Sequence, residues 1–554
     1  MKRRSCRNAM PRRDFLRTMG IGAASLTAPA ILRGAGKSQR RPNVLLILAD
    51  DMGYSDLSCY GSEIRTPHLD ALAGRGVRFT QFYNCAVCCP TRASLLTGLY
   101  PHQAGVGWMV MHGADARPPG PYQGWLNDRC VTIAEVMKGA GYRTLMSGKW
   151  HVGESRPHWP ADRGFDRSFG LISGSSNYYS LTKDYLPNIK RQMFSDDRPW
   201  QPPEEGFYMT DAIVDNAVRL LAETAQERDP FFCYLAFTAP HYPLHASPEA
   251  IARHRGRYRG GWDAMRAARY ARMKELGLIG PETPLSPREN AVPAWADVED
   301  PDLMDLQMAI YAAQVESMDA GIGRVLAELR RTGKDRDTVV MFLSDNGSNA
   351  EADLRRFRRP ELNRAPYLGG PESYEAYADG WANASNTPFR KYKTYFQEGG
   401  ICTPLIVAGP GVTAPAGSIC HEPGHVTDLM ATCVDLGQAS YPTQFKGHAI
   451  QPMEGVSFRP LLEGRQATRQ RPIFWELEGR YAMRAGPWKL IGQEDKPWEL
   501  YDLSRDRTEL RNLAAEQPER LQKMAADHTA WAQRIGVQSW KQVKPTMVNI
   551  PGVG

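Results

Sequence analysis

Asn43-Val44-Leu45-Leu46-Ile47-Leu48-Ala49-Asp50-Asp51 is the stretch that decides the fold. Its apolar run is continuous rather than alternating, short, and rich in branched aliphatic residues. That combination predicts a strand buried on both faces, the kind found inside a parallel sheet. Two carboxylates follow at its C-terminal end.

The arrangement recurs along the chain. A strand predicted over 142–146 runs into Ser147-Gly148-Lys149-Trp150-His151, one over 231–237 ends before His241, and one over 338–343 ends at Asp345-Asn346. Helical patterns lie between them. Thr66-Pro67 reads as a cap and first turn, Thr132 with Glu135 as a capping box, and 210–225 and 306–331 as longer helices. Alternating strands and helices imply an α/β fold with a mostly parallel sheet covered on both sides. Asp50, Asp51, Lys149, His151, His241, Asp345 and Asn346 then all lie just beyond strand C-termini, where open α/β sheets bind ligands.

From about residue 465 the pattern changes. Short alternating segments at 472–476, 481–483 and 488–491, then an amphipathic stretch at 518–531, predict a small antiparallel sheet with one helix. The expected organisation is a signal segment (1–35), a catalytic domain (36–465) and a C-terminal α+β subdomain (466–554). The Arg-rich stretch 252–300 and the Tyr/Gly/Pro-rich stretch 354–386 read as surface insertions, some of whose residues shape a cleft.

Hydrophobic residues form 42% of the 554 and charged ones 23%, which excludes a disordered chain. The formal charge of +7 is carried entirely by residues 1–35, where eight basic side chains face Asp14 alone. The rest is neutral overall, so no nucleic-acid surface is implied. Within that leader, Arg12-Arg13-Asp14-Phe15-Leu16 is a twin-arginine pattern before an apolar stretch, and Ala28-Pro29-Ala30 is a candidate cleavage site. The expectation is export through the twin-arginine machinery to the periplasm or beyond, without stable membrane insertion. Such a compartment permits disulfides among Cys59, Cys85, Cys88, Cys89, Cys130, Cys233, Cys402, Cys420 and Cys433, although pairing is not readable from sequence. No C-x-x-C pair is arranged with a second one, so a structural zinc site is not expected.

The chemistry concentrates in Cys88-Cys89-Pro90-Thr91-Arg92-Ala93-Ser94-Leu95-Leu96-Thr97-Gly98. Pro90 sits where a helix begins, so residue 88 faces a helix N-terminus that favours an anion. The segment resembles the signature of type I sulfatases, C-x-P-x-R followed by T-G. The resemblance extends over roughly 41–510 and is similar to bacterial arylsulfatases, which implies an alkaline-phosphatase-like α/β fold. It also implies that Cys88 is oxidised to formylglycine by a maturation enzyme. The hydrated aldehyde then offers a hydroxyl to sulfur, and its second hydroxyl provides an exit for sulfate.

By the same resemblance, Asp50, Asp51, Asp345 and Asn346, with residue 88, hold a divalent cation. An all-oxygen set suits Ca2+ first and Mg2+ second. Gly148-Lys149-Trp150-His151 resembles the family's G-K-W-H element, which places Lys149 on sulfate and His151 as a base for its release. Arg92 would hold residue 88 and the metal cluster. His241 matches the family histidine, and Lys393 stands five residues before Glu398-Gly399-Gly400, so together they would protonate the leaving oxygen. The implied substrate is an aryl sulfate or a sulfated carbohydrate. Two alternatives are a formylglycine-dependent phosphonate or phosphodiester hydrolase and a non-catalytic binder of sulfated glycans. His245, Arg390, Asn386 and Trp381 are secondary pocket candidates, and His425 and Asp428 read as structural. Asn346-Gly347-Ser348 and Asn383-Ala384-Ser385 have the form of glycosylation sequons, but the export signal and the expected metal role of Asn346 argue against their use.

Overall fold

The computed structural model describes residues 41–110, 117–182, 191–350 and 368–548. The leader at 1–35, with Cys6, lies outside the described residues, as does the part of the predicted 354–386 loop up to residue 367. Residues from Arg41 onward pack as one compact unit. Among the described residues no helix is long and apolar enough to cross a membrane.

Asn43–Ala49 is a strand buried along its whole length. It lies between two parallel neighbours, Phe231–Ala236 and Thr338–Ser344, with Leu48 opposite Ala236 and Ala49 opposite Ser344. Successive residues face opposite sides of a strand, so one sequence serves two cores. Leu45, Ile47 and Ala49 join one apolar cluster with Leu69, Leu72, Ile213, Ala217, Met318 and Ile322. Val44, Leu46 and Leu48 join the other, with Leu95, Leu96, Ile133, Met137, Leu429 and Cys433. The first layer is built from helices Pro67–Arg75, Met209–Glu223 and Pro301–Arg331, the second from Cys88–Thr97, Ile133–Gly139 and Asp428–Gly437.

The sheet continues from Phe231–Ala236 into Arg143–Lys149 and Arg167–Leu171, all parallel. On the other side Cys402–Ala408 runs antiparallel to Thr338–Ser344 and to Val77–Tyr83. The expected mostly parallel α/β sheet is therefore found, with antiparallel strands toward its margins.

Three local expectations need correction. The strand predicted over 142–146 runs to Lys149, so Lys149 is its last residue rather than one beyond its end. Gly148 makes this possible: at φ +125°, a Cβ there would lie 1.8 Å from the Ala236 carbonyl oxygen. Thr66 makes no side-chain cap to helix Pro67–Arg75. Its place is taken by Asp319 from the facing helix, which accepts from the backbone N–H groups of His68 (3.1 Å) and Leu69 (2.9 Å). The 252–300 stretch, read as a surface insertion, instead carries helix Gly261–Glu275 with Trp262, Arg266 and Arg269 buried. The Thr132–Glu135 capping box is present as expected.

Strands Ile473–Leu477, Arg480–Ala485, Trp488–Gln493 and Glu499–Asp502 form the expected antiparallel sheet, covered by helix Pro518–Ile535. This sheet is fastened to the main body by polar groups. Trp475 Nε1 donates to the Asn84 carbonyl at 2.7 Å. Fully buried Lys489 pairs with Glu398 at 2.7 Å and with Glu509 at 2.6 Å, and Arg507 adds 3.0 Å to Glu398. None of the nine cysteines from Cys59 to Cys433 is in a disulfide.

Candidate active site

The strand ends deliver what the sequence placed there. Asp50, Asp51, Lys149, His151, His241, Asp345, Asn346 and Lys393 are all buried. Lys149 Nζ donates to Asp50 Oδ2 at 2.7 Å. Asp51 Oδ2 accepts from Lys393 Nζ at 2.9 Å and from Asn349 Nδ2 at 3.0 Å, and its Oδ1 accepts from Asn346 Nδ2 at 2.6 Å. Asp345 Oδ1 accepts the Asp51 backbone N–H at 3.2 Å. His241 Nε2 lies 3.3 Å from Asp51 Oδ2 and 3.5 Å from Lys393 Nζ.

Cys88 opens the buried helix Cys88–Thr97, with Val87 as its extended N-cap. Its Sγ lies 3.4 Å from His151 Nδ1. His151 Nε2 lies 3.0 Å from the Val110 carbonyl oxygen, so Nε2 carries a hydrogen and Nδ1 faces residue 88. One turn on, fully buried Arg92 donates from Nε (3.2 Å) and Nη2 (2.9 Å) to Asp345 Oδ2 and from Nη1 to the Lys149 carbonyl (3.0 Å). One guanidinium thereby ties the Cys88 helix to two strand ends.

The backbone around these groups is strained. Asp51, Ala86, His151, Lys391 and Thr394 all have positive φ without being glycine. Left-handed non-glycine residues cost on the order of 1 kcal/mol or more each and concentrate at functional sites. Thr394, β-branched at φ 75°, donates its N–H to the Ala86 carbonyl at 2.9 Å and so links the Lys393 loop to the Cys88 turn. Gly53 is needed where the chain leaves Asp51, because a Cβ there would sit 2.4 Å from the Ser385 carbonyl oxygen.

The electrostatics of these groups suit a bound cation. Burial raises the Asp50 carboxyl above its ordinary range despite Lys149 and Arg92. Burial and the neighbouring Asp50 charge push Asp345 up to about 8. Burial also opposes ionisation of Asp51, but the Lys393 ammonium and the Asn346 amide, each hydrogen-bonded to it, hold that carboxyl low. Asp50 Oδ1 and Asn346 Oδ1 are buried acceptors without a hydrogen-bond donor. Ligand oxygens of Asp50 and Asp51 and a nitrogen of His241 lie within 4.8 Å of one another. Under-neutralised carboxylates beside two orphaned oxygens fit a hard divalent cation.

Two further shifts bear on chemistry. A hydrogen bond from Cys89, acting against burial and aided by Lys149, His151 and Lys393, holds the Cys88 thiol well below the usual range. Burial lowers His241 to about 4. Its imidazole is therefore neutral near pH 7, with Nδ1–H directed to the Tyr242 carbonyl and Nε2 free to accept from Lys393.

The secondary candidates stand apart from the cluster. His245 uses Nδ1 on the Tyr178 N–H and Nε2 on the Ser373 carbonyl. Trp381 donates to the Met304 carbonyl inside an apolar cluster, and Arg390 donates to the Glu509 carbonyl. Asn386 bridges the Ser348 N–H and the Lys391 carbonyl, bracing the Lys393 loop. His425 and Asp428 bond within the start of helix Asp428–Gly437, as structural residues do. Both sequon asparagines, Asn346 and Asn383, are fully buried, which argues against their use as acceptors.

Sequence reading missed the support behind the aspartates. Asp56 Oδ2 accepts the Gly53 N–H (2.8 Å) and the Tyr311 hydroxyl (2.6 Å), and its Oδ1 pairs with Arg269 at 2.6 Å. Arg269 also forks onto Glu63. A regular arginine spacing on an amphipathic helix was the only signal available. Asn349, three residues past Asn346, was missed as well.

A protein-family model described as Sulfatase matches residues 42–439. An arylsulfatase of Klebsiella aerogenes is 35% identical over 82% of this chain and 100% of its own length. An uncharacterized sulfatase of Schizosaccharomyces pombe is 34% identical over 90% of this chain and 94% of its own. Among solved structures, Ps i-CgsB in complex with k-i-k-neocarrahexaose aligns with a TM-score of 0.66 at 24% identity, covering 89% of this chain and 93% of that one. That likeness speaks to the fold.

Proposed function

The chain belongs to the sulfatase family, whose members are sulfuric ester hydrolases, and we propose that it cleaves sulfate monoesters, aryl or carbohydrate, through a formylglycine at position 88 beside a divalent cation. The observation that carries this is the setting of Cys88. It heads a buried helix that Arg92 ties to Asp345 and to the Lys149 strand end, and its Sγ lies 3.4 Å from Nδ1 of a histidine whose other nitrogen is held by the Val110 carbonyl.

Asp50, Asp51, Asp345 and Asn346, with residue 88, would hold Ca2+ or Mg2+, which when bound supplies charge for sulfate oxygens and acidifies a neighbouring hydroxyl. Oxidised to formylglycine, residue 88 supplies a hydrated aldehyde as nucleophile and a second hydroxyl for release. The remaining work falls to the side chains. Lys149, pinned by Asp50, presents its ammonium to the sulfate. His151 Nδ1 takes a proton at residue 88, while the Val110 carbonyl holds its Nε2–H. Lys393 gives a proton to the leaving oxygen. Neutral His241, accepting at Nε2, orients that ammonium rather than supplying the proton itself. Arg92 keeps the Cys88 helix and Asp345 in register. Maturation by a formylglycine-generating enzyme and twin-arginine export, signalled by Arg12-Arg13, belong to the same proposal.

The test is the mass of the Cys88 peptide from protein made in its own host, together with rates on an aryl sulfate and an aryl phosphonate. Conversion of cysteine to formylglycine lowers the mass by about 18 Da. That loss with preference for sulfate is expected. Preference for phosphonate would move the substrate assignment, and intact cysteine in active native protein would overturn the mechanism.

A further inference from the structure

The unmodified form of residue 88 has neighbours that the sulfatase chemistry does not use. Cys89 Sγ lies 3.5 Å from Met109 Sδ and accepts the Val110 N–H at 3.1 Å. Cys88 Sγ lies 3.4 Å from His151 Nδ1. Ligand atoms of Cys88, Cys89 and His151 all lie within 4.8 Å of one another, and all three residues are buried. This sulfur and imidazole set contrasts with the all-oxygen set of the aspartates.

Its dimensions are those of a tetrahedral site. With Zn–S near 2.3 Å and Zn–N near 2.0–2.1 Å, adjacent S and N ligands stand about 3.5 Å apart and two sulfurs about 3.8 Å apart. The Cys88–His151 separation of 3.4 Å matches the first of these edges, and the 4.8 Å limit on all three ligand atoms admits the second. The surroundings are also those of bound ligands. His151 offers Nδ1 because its other nitrogen is held by a backbone carbonyl, the usual outer partner of a metal-binding histidine. The Val110 N–H points at Cys89 Sγ, the kind of donor a bound thiolate accepts, and it offsets part of the burial that holds this thiol well above its ordinary range. The same residue, Val110, supplies both contacts.

We propose that the chain with Cys88 still a thiol binds one thiophilic cation, Zn2+ being the probe, through Cys88 Sγ, Cys89 Sγ and His151 Nδ1, with the Met109 thioether beside them. Binding releases the thiol protons to solvent and leaves the Val110-held hydrogen on His151 in place. Oxidation of residue 88 to an aldehyde removes one thiolate, so the site belongs to the immature protein alone. While filled, it covers the sulfur that maturation must reach. The thiol-state site goes beyond the sulfatase reading, and only its restriction to the immature protein rests on that reading.

The experiment separates full-length protein by mass into cysteine and formylglycine fractions and titrates each with Co2+, then with Zn2+. The cysteine fraction should develop a thiolate-to-cobalt absorption band saturating at one ion per chain, bleached by Zn2+, and Zn2+ should slow alkylation of Cys88. Cys89→Ser, checked for an unchanged urea midpoint, should weaken cobalt binding by more than about 100-fold, beyond what losing an outer-layer partner costs. The formylglycine fraction is a second arm that needs no mutant, and there, with only Cys89 and His151 left, cobalt binding should be weakened by at least as much. Cobalt bound without a thiolate band, an equal band in both fractions, or unchanged affinity in folded Cys89→Ser overturns the site. A cysteine-only native enzyme that is active would refute the formylglycine mechanism while leaving the cobalt result to stand.

Discussion

Arg92→Lys tests the reading that this guanidinium is the joint between the nucleophile helix and the metal turn. Arginine makes three hydrogen bonds there, two to Asp345 Oδ2 and one to the Lys149 carbonyl. Lysine keeps the charge and supplies one of them, but not the fork. The loss is one charge-assisted bond, about 1.5–3 kcal/mol, and one to a neutral carbonyl, about 1 kcal/mol. A sum of about 2.5–4 kcal/mol, if felt in the transition state, corresponds to a fall in kcat/KM of about 100–1000-fold. The assay is hydrolysis of an aryl sulfate by formylglycine-verified protein, with calcium content and urea midpoint measured in parallel. A variant within about threefold of wild type would refute the argument, as would a large loss that excess calcium restores in full, because Arg92 would then act only on metal affinity.

Chelation should abolish activity, and Ca2+ should restore it better than Mg2+; undiminished turnover in metal-free protein would remove the cation from the mechanism. Lys489→Met should destabilise the fold by about 3–5 kcal/mol, because it leaves Glu509 buried without its cation and Glu398 with Arg507 alone. A change in urea midpoint worth under about 1 kcal/mol would mean that the cluster is screened like a surface pair. Burial raises the Asp319 carboxyl to about 6. With its folded value above the unfolded one of ~3.9, its contribution is present at low pH and is lost as pH rises through about 6. Asp319→Asn should therefore flatten the decline in stability between pH 4.5 and 7 by roughly 2 kcal/mol, while parallel wild-type and variant profiles would contradict this.

The fold was legible wherever burial dictates composition. Asn43–Ala49, Phe231–Ala236 and Thr338–Ser344 are interior strands, and interior strands have no polar alternation to confuse. Cys88, Arg92 and Lys149 were legible through the C-x-P-x-R and G-K-W-H segments, and Asp50, Asp51 and Asp345 because each follows a buried strand. What stayed hidden depends on contacts far apart in the chain. Arg269 looks like a surface arginine until Asp56 and Glu63 are set beside it. Asp319 sits mid-helix and caps a different helix. Lys489 reads as an exposed strand residue until Glu398 is buried against it. The neutrality of His241 also came only from its burial, which spacing cannot report.

The bond from Trp475 to the Asn84 carbonyl joins residues nearly four hundred apart, and it grips the chain four residues before Cys88. A chain emerging from the ribosome lacks that grip until residue 475 has been made. This clasp on the Cys88 turn is thus synthesised late, after every strand of the main sheet. Position 88 spends most of translation in a half-built setting, which gives any enzyme that reads this segment as an unfolded peptide a long interval in which to find it.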